Sequence, residues 1–569
     1  MKNLSNNQFF FLIKAFLIFI SINTISSFNC GFNELDVEPA SLEKLYLNKK
    51  INAPTLDFQP IKIKADYTSF KKVDSISHST MNQAKEAIEE TLSEFSKFLK
   101  VQHTDINIEG YENNIKKACI IDEIDRDYEN FLINNDLIIF PSFSQNLSET
   151  TIAAATYCLY DKDTYQPYFG ILHINPNIDF SKKNTKRYIK TVLLHEITHI
   201  LVFHPNLFKK LGIVKTVNSV SYINSSKVLR KARQHFNCPS LTGVALENQG
   251  GSGSLGSHWE ARYMLGDYMI STDYMDTVIS DITLALFEDS GFYQVNYYSG
   301  GLFKFGKNQG CSFLNDKCIV NGKTSYKNEF CTSYGEDSCS ATRENKGKCY
   351  IYAYNSNIPE QFRYFSRPNQ GGFLPCDYCP VTSVGSKETE TDYYPSSCKY
   401  GDSSLLSYGE IISDTSFCFL SSLVPISNTQ NSNYQAKCYK VSCDNTNKKI
   451  IVNIGSSSIE CPTSGGTLNN PSGFQGVIEC PKYIDICSAE NNNLCNNLFD
   501  CLDKKSKVDP DSYMYSGDED DDTNNDDDNA DNEYTPIIRP FPNSSNYINK
   551  IYIYIYIYIL FIFYFLDKI

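Results

Sequence analysis

Tryptophan, methionine and histidine are scarce in this 569-residue chain, at one, six and eight copies. Any site built from several imidazoles must therefore draw on His78, His103, His173, His195, His199, His204, His235 and His258. Cysteine is almost missing from the first 237 residues, where only Cys30, Cys119 and Cys158 occur. That excludes a dense disulfide framework in this part of the chain. Basic excess is missing as well: 52 Lys+Arg against 66 Asp+Glu leave a net charge of −14. Such a balance lacks the electrostatic footprint of nucleic-acid binding. The acidity is local. Residues 518–533 hold ten acids and no base, and the rest of the chain carries only −4.

What is present is distributed unevenly. Sixteen of the 20 cysteines lie at or beyond Cys311. Dense cysteine in one segment reads as a disulfide-held domain of an oxidising compartment. The competing reading is a zinc ribbon, but Cys376-x-x-Cys379 has no second pair of matching spacing close behind it. The ends agree with export. Residues 8–28 are apolar after a basic start and run into small polar residues, so 1–27 read as a signal peptide. At the other end, 551–566 form an apolar block behind Asn543, Ser544 and Ser545. This is the pattern of a GPI-attachment signal, with a single membrane span as the alternative. Asn146, Asn224 and Asn543 head glycan-acceptor triplets.

Periodicity places the elements. Residues 80–100 predict a surface helix, and LIIF (137–140) and FGILHI (169–174) predict strands. A helix follows, capped at Asn184 or Thr185 and stopped by Pro205, with Ile189, Val192, Leu193, Ile197 and Ile200 on one face. Another is predicted at 278–290. The first of these two helices contains His195-Glu196-Ile197-Thr198-His199. Positions i and i+4 share a helix face, so both imidazoles can reach one metal ion. The intervening carboxylate, Glu196, is then placed to take a proton from a metal-activated water. The spacing predicts a zinc peptidase. A chance match on a charged helix is the competing reading of those five residues.

Catalytic zinc needs a third protein ligand. His78 and His103 lie in polar sequence far upstream, and His173 and His235 lack a supporting motif. His204 falls one position short of the H-E-x-x-H-x-x-G-x-x-H pattern, where Pro205 stands, and reads as a surface histidine at the helix end. Val202 occupies the glycine of that pattern. A better match is GSHWEARYMLGDYM, residues 256–269. Here the sequence resembles the leishmanolysin family of metzincin peptidases. The resemblance implies that His258 is the third zinc ligand, across an inserted segment, and that Met269 lies beneath the site; Met264 and Met275 compete with it. It extends to TIAAATYCLYDKDTYQPYFGILHINP (151–176), which looks like a cysteine-bearing stretch followed by the substrate-binding edge strand. SDITLALFEDSGFYQVNY (280–297) looks like the helix after the methionine turn. GCSFLNDKC (310–318), DYCP (377–380) and CPTSG with ECP (461–465, 479–481) look like the cysteine-rich C-terminal domain.

The implied fold is α+β: a metzincin-type catalytic domain with an active-site helix, an inserted central domain, and a mostly β, disulfide-rich C-terminal domain. The expected divisions are 1–27 signal peptide, 28–60 candidate pro-segment, 61–203 N-terminal catalytic subdomain, and 204–310 central insertion. They continue with 311–504 cysteine-rich domain, 505–547 acidic stalk and 548–569 hydrophobic tail. The implied activity is endopeptidase hydrolysis of protein or peptide substrates at the cell surface or after secretion. One Zn²⁺ would be held by His195, His199 and His258, with Glu196 catalytic. The alternative is an inactive surface adhesin that keeps the fold. The resemblance also implies a pro-segment cysteine that blocks the zinc. Cys30, in FNCGF, is the only early cysteine and lacks the family's flanking histidine and arginine.

Overall fold

The computed structural model describes Cys30, Leu35, residues 37–42 and 46–47, and most of 57–487. The expected signal peptide, acidic stalk and hydrophobic tail lie outside the described residues, as do Met275, Cys495 and Cys501. Among the described residues no helix is long and apolar enough to cross a membrane.

Five strands form the sheet that carries the site: β1 (Ala40–Leu42), β2 (Ile63–Ala65), β3 (Leu137–Phe143), β4 (Ala153–Asp161) and β5 (Pro167–Ile174). Their spatial order is β1-β4-β5-β3-β2. The β4–β5 pair is antiparallel, and the other pairs are parallel. β4 is buried along its whole length and β5 over most of it. Both read as near-continuous apolar runs because other elements cover both faces. The sequence reading placed the substrate-binding edge at 169–174. The structure puts that strand, β5, inside the sheet between β3 and β4. The outer side of β4 is the edge, and β1 covers it, with Ala40 opposite Leu159 and Leu42 opposite Asp161.

Helix α1 (His78–Phe98) starts at Ser77, whose hydroxyl accepts from the Thr80 amide at 3.0 Å. It buries Ala84, Ile88, Leu92 and Phe95, the helical spacing read from 80–100. Helix α2 (Lys183–Leu201) crosses the sheet against β4 and β5. A side-chain carbon on Gly170 of β5 would come within 2.6 Å of Ile200. Glycine there lets α2 lie close on the sheet. Beyond α2 come α3 (Pro205–Leu211), α4 (Ser226–Phe236) and α5 (Asp281–Asp289). Asp289 closes the start of α4 by accepting from the amides of Lys227 and Val228 at 3.2 and 2.9 Å. Its carboxylate meets the positive end of that helix.

One apolar core runs from Cys30 through the sheet and α1–α5 to Val381. A separate core lies within a six-stranded antiparallel sheet: β6 (Ser416–Ser421), β7 (Gln435–Asp444), β8 (Lys449–Ile454), β9 (Ser457–Cys461), β10 (Gly466–Asn469) and β11 (Val477–Cys480). Eight disulfides join 16 of the described cysteines, and six of the bonds lie at or beyond Cys318. Cys379 bonds to Cys318, which rules out the C-x-x-C as half of a zinc ribbon. Among the described residues Cys30 and Cys376 are thiols.

Candidate metal centre

Helix α2 delivers His195, Glu196 and His199 into the interior, all buried. His258 is buried too and arrives from a loop 59 residues further on. Each ring is tied at Nδ1. His195 meets the Tyr268 carbonyl at 2.6 Å and His199 the Phe203 carbonyl at 2.7 Å. His258 meets the Ser257 hydroxyl at 3.0 Å and the Ser254 carbonyl at 3.3 Å. A carbonyl partner makes Nδ1 the protonated nitrogen, leaving Nε2 with its lone pair. The Nε2 atoms then converge: His199 to His195 at 3.1 Å, and His195 to His258 at 3.2 Å. Three nitrogens on a tetrahedral zinc, each at the usual bond length, stand about 3.3 Å apart. Burial pulls the His195 pKa down to about 4 and those of His199 and His258 well below the ordinary value. The rings are therefore neutral, the form that ligates.

A fourth donor completes the group. The Cys30 thiol lies 3.4 Å from His199 Nε2, and the four ligand atoms are all within 4.8 Å of one another. Three neutral imidazoles and one thiol are the donor chemistry that suits zinc. Glu196 is held from the sheet, its Oε2 accepting from the Ala155 amide at 2.9 Å.

Trp259 and Met269 fix the loop that carries His258. The Trp259 amide donates to the Met269 carbonyl at 2.9 Å, and its indole donates to Thr283 at 2.8 Å. Its ring meets Phe203, at the exit of α2, edge-on at 5.0 Å. Met269 is fully buried, and so is Met264 in a short helix, Ala261–Met264. Three groups escaped the sequence reading. Tyr268 serves α2 twice, through its carbonyl on His195 and through its hydroxyl, 2.7 Å from that of Thr198. Asp267 accepts from the Met269 and Ser280 amides and from Thr283, and burial still lifts its pKa to about 6. The Ala155 amide was invisible because main-chain donors leave no trace in residue type.

His204 is not a surface residue, contrary to the sequence reading. It is 5% exposed and caps α3, its Nδ1 accepting from the Asn206 amide at 3.1 Å. Pro205 opens that helix, a position where its missing donor costs nothing. The chain leaves α2 through Val202 and Phe203, whose amides both point to the Thr198 carbonyl at 2.9 Å. Val202 is fully buried and adopts no left-handed backbone, so this exit needs no glycine. Of the remaining histidines, His103 pairs with Asp136 at 2.7 Å and His235 donates to the Phe305 carbonyl at 2.8 Å.

A family model described as leishmanolysin matches residues 79–494, which include every imidazole of the site. The chain belongs to the leishmanolysin family. The leishmanolysin of Leishmania tropica is 30% identical over 62% of this chain and 55% of its own length. The leishmanolysin homolog of Crithidia fasciculata is 29% identical over 63% and 56%. The leishmanolysin-like peptidase of Drosophila melanogaster is 24% identical over 63% and 64%. The chain thus spans little more than half the length of the first two leishmanolysins.

Proposed function

We propose that this leishmanolysin relative is a zinc-dependent endopeptidase, with His195, His199 and His258 as metal ligands and Glu196 as the catalytic base. The observation that carries the reading is the convergence of three neutral Nε2 atoms at 3.1–3.2 Å, with Glu196 one residue from a ligand on the same helix. Bound there, zinc would supply the Lewis acidity that polarises a peptide carbonyl and acidifies water. The residues do the rest. Glu196 takes the proton of the attacking water and returns it to the leaving amine. The Ala155 amide keeps the carboxylate aimed while it changes charge. Trp259, hydrogen-bonded to Met269 and Thr283, holds the loop that carries the third ligand.

Cys30 belongs to a latent state in this reading. Its sulfur would be a fourth donor to a bound zinc, and β1 lies on the β4 edge where an extended substrate would add as a strand. Removal of the N-terminal segment frees both. The eight disulfides support action in an oxidising, extracellular setting, and the apolar tail at 548–569 would tether the protein there.

Peptide hydrolysis by purified protein, alongside the Glu196→Ala variant, tests the activity. The expected loss is about a thousandfold or more, with metal content unchanged. Equal cleavage by both proteins would end the reading, whereas an inactive adhesin would cleave in neither form.

A further inference from the structure

Beside the metal centre lies a cavity of about 570 Å³. Its lining comes from two sources. Leu35, Val37, Glu38 and Pro39 belong to the N-terminal segment, while Thr156, Tyr157, His204, Asn206, Lys209 and Lys210 belong to β4, α3 and the cap of α3. The first group lies between Cys30 at the metal ligands and β1 on the β4 edge. When that segment leaves, its four residues go with it. The lining that stays is polar and carries two ammonium groups.

Those charges are real and placed. Lys210 is anchored through Nζ to the Tyr160 hydroxyl at 2.9 Å and sits over the Tyr160 and Tyr165 rings at 4.7 and 5.5 Å. Aromatic faces hold an ammonium without cancelling its charge. Among the described residues neither Lys209 nor Lys210 pairs with a carboxylate. His204 adds no charge, since burial lowers its pKa to about 3. Tyr157 contributes a buried hydroxyl that has no partner among the described residues. The lining includes one carboxylate, and it comes from the departing segment: Glu38.

We propose that this cavity is a substrate subsite for an acidic side chain, read by Lys209 and Lys210, and that the N-terminal segment covers it in the latent chain. The inference rests on the peptidase reading above and adds the class of substrate to it. A peptide lying along β4 places alternate side chains on one side of the strand. One of them reaches the Thr156–Tyr157 wall beside the metal ligands. An aspartate or glutamate there gains two ammonium groups and a hydroxyl donor, and a lysine meets like charge.

The test uses the protein in its active form, after removal of the N-terminal segment, offered a mixed peptide library whose cleavage sites are read by mass spectrometry. Wild type is expected to enrich Asp and Glu at one position near the scissile bond. The double variant Lys209→Glu, Lys210→Glu is expected to lose that enrichment and favour Lys and Arg, shifting the acidic-to-basic ratio by about tenfold or more. This ratio is read within each protein, so a smaller folded fraction does not affect it. Cleavage without acidic enrichment, or enrichment the double variant leaves unchanged, would overturn the subsite and spare the peptidase reading. No cleavage by wild type beyond that of Glu196→Ala would remove both.

Discussion

Glu196 and the three imidazoles depend on what holds their far sides. A neutral histidine presents one lone pair, and the partner of the other nitrogen decides which. Tyr268 and Phe203 make that choice through carbonyls, so sequence patterns record the ligands and miss the groups that orient them. Away from the metal, one buried acid gives a pH signature. Glu329 accepts from the Gly306 amide and from Gln309, both at 3.3 Å, yet burial raises its pKa from 4.5 to about 7. The folded state therefore binds this proton more tightly than the unfolded chain does. Its stabilising effect is complete below about 4.5 and is lost as pH rises towards about 7. Urea midpoints across that window should fall with rising pH, and Glu329→Gln should flatten this part of the slope. An unchanged slope in the variant would assign the dependence to other groups.

Elements show how far patterns carry. Helix α2 was legible because its apolar residues recur at helical spacing around a motif whose two histidines must share a face. Strand β5 was legible as a strand but not as an interior one, because apolar runs do not say which neighbour lies alongside. Its parallel partner, β3, and the β1 strip on the β4 edge are set by long-range pairing that no local signal encodes. His204 misled for the same reason: an isolated polar residue after a helix reads as surface, and only α3 reveals it as a buried cap. Local signals were trustworthy where local chemistry decides. Ser77 caps α1 through its hydroxyl, so Ser77→Ala should lower stability by about 1 kcal/mol, measured as a shift in denaturation midpoint with peptidase activity retained.

At the scale of the whole molecule, distant segments are bound together covalently and by the large core that runs from Cys30 to Val381. The proposed third ligand, His258, lies 59 residues beyond His199, so its place depends on everything between them. Cys238–Cys311 closes a loop of 73 residues around the stretch that carries His258, Met269 and α5. Replacing both cysteines by serine should cost about 2–4 kcal/mol, and calorimetry should show the loss together with weaker metal retention during dialysis. Retention equal to wild type would mean that α4, α5 and the core position the His258 loop without the bond. The pairing of cysteines was beyond the sequence, since spacing fixes no partner, whereas their crowding past Cys311 announced a bonded region.

The proposed site is assembled from two distant stretches of chain, the helix with His195 and His199 and the loop with His258. Zinc content of the purified full-length protein, wild type against His258→Ala, tests that most directly. One zinc per chain in wild type and a large loss in the variant, with the fold intact by circular dichroism, is the predicted result. Equal zinc in both would contradict it, because the metal would then be held without the ligand on which the geometry depends.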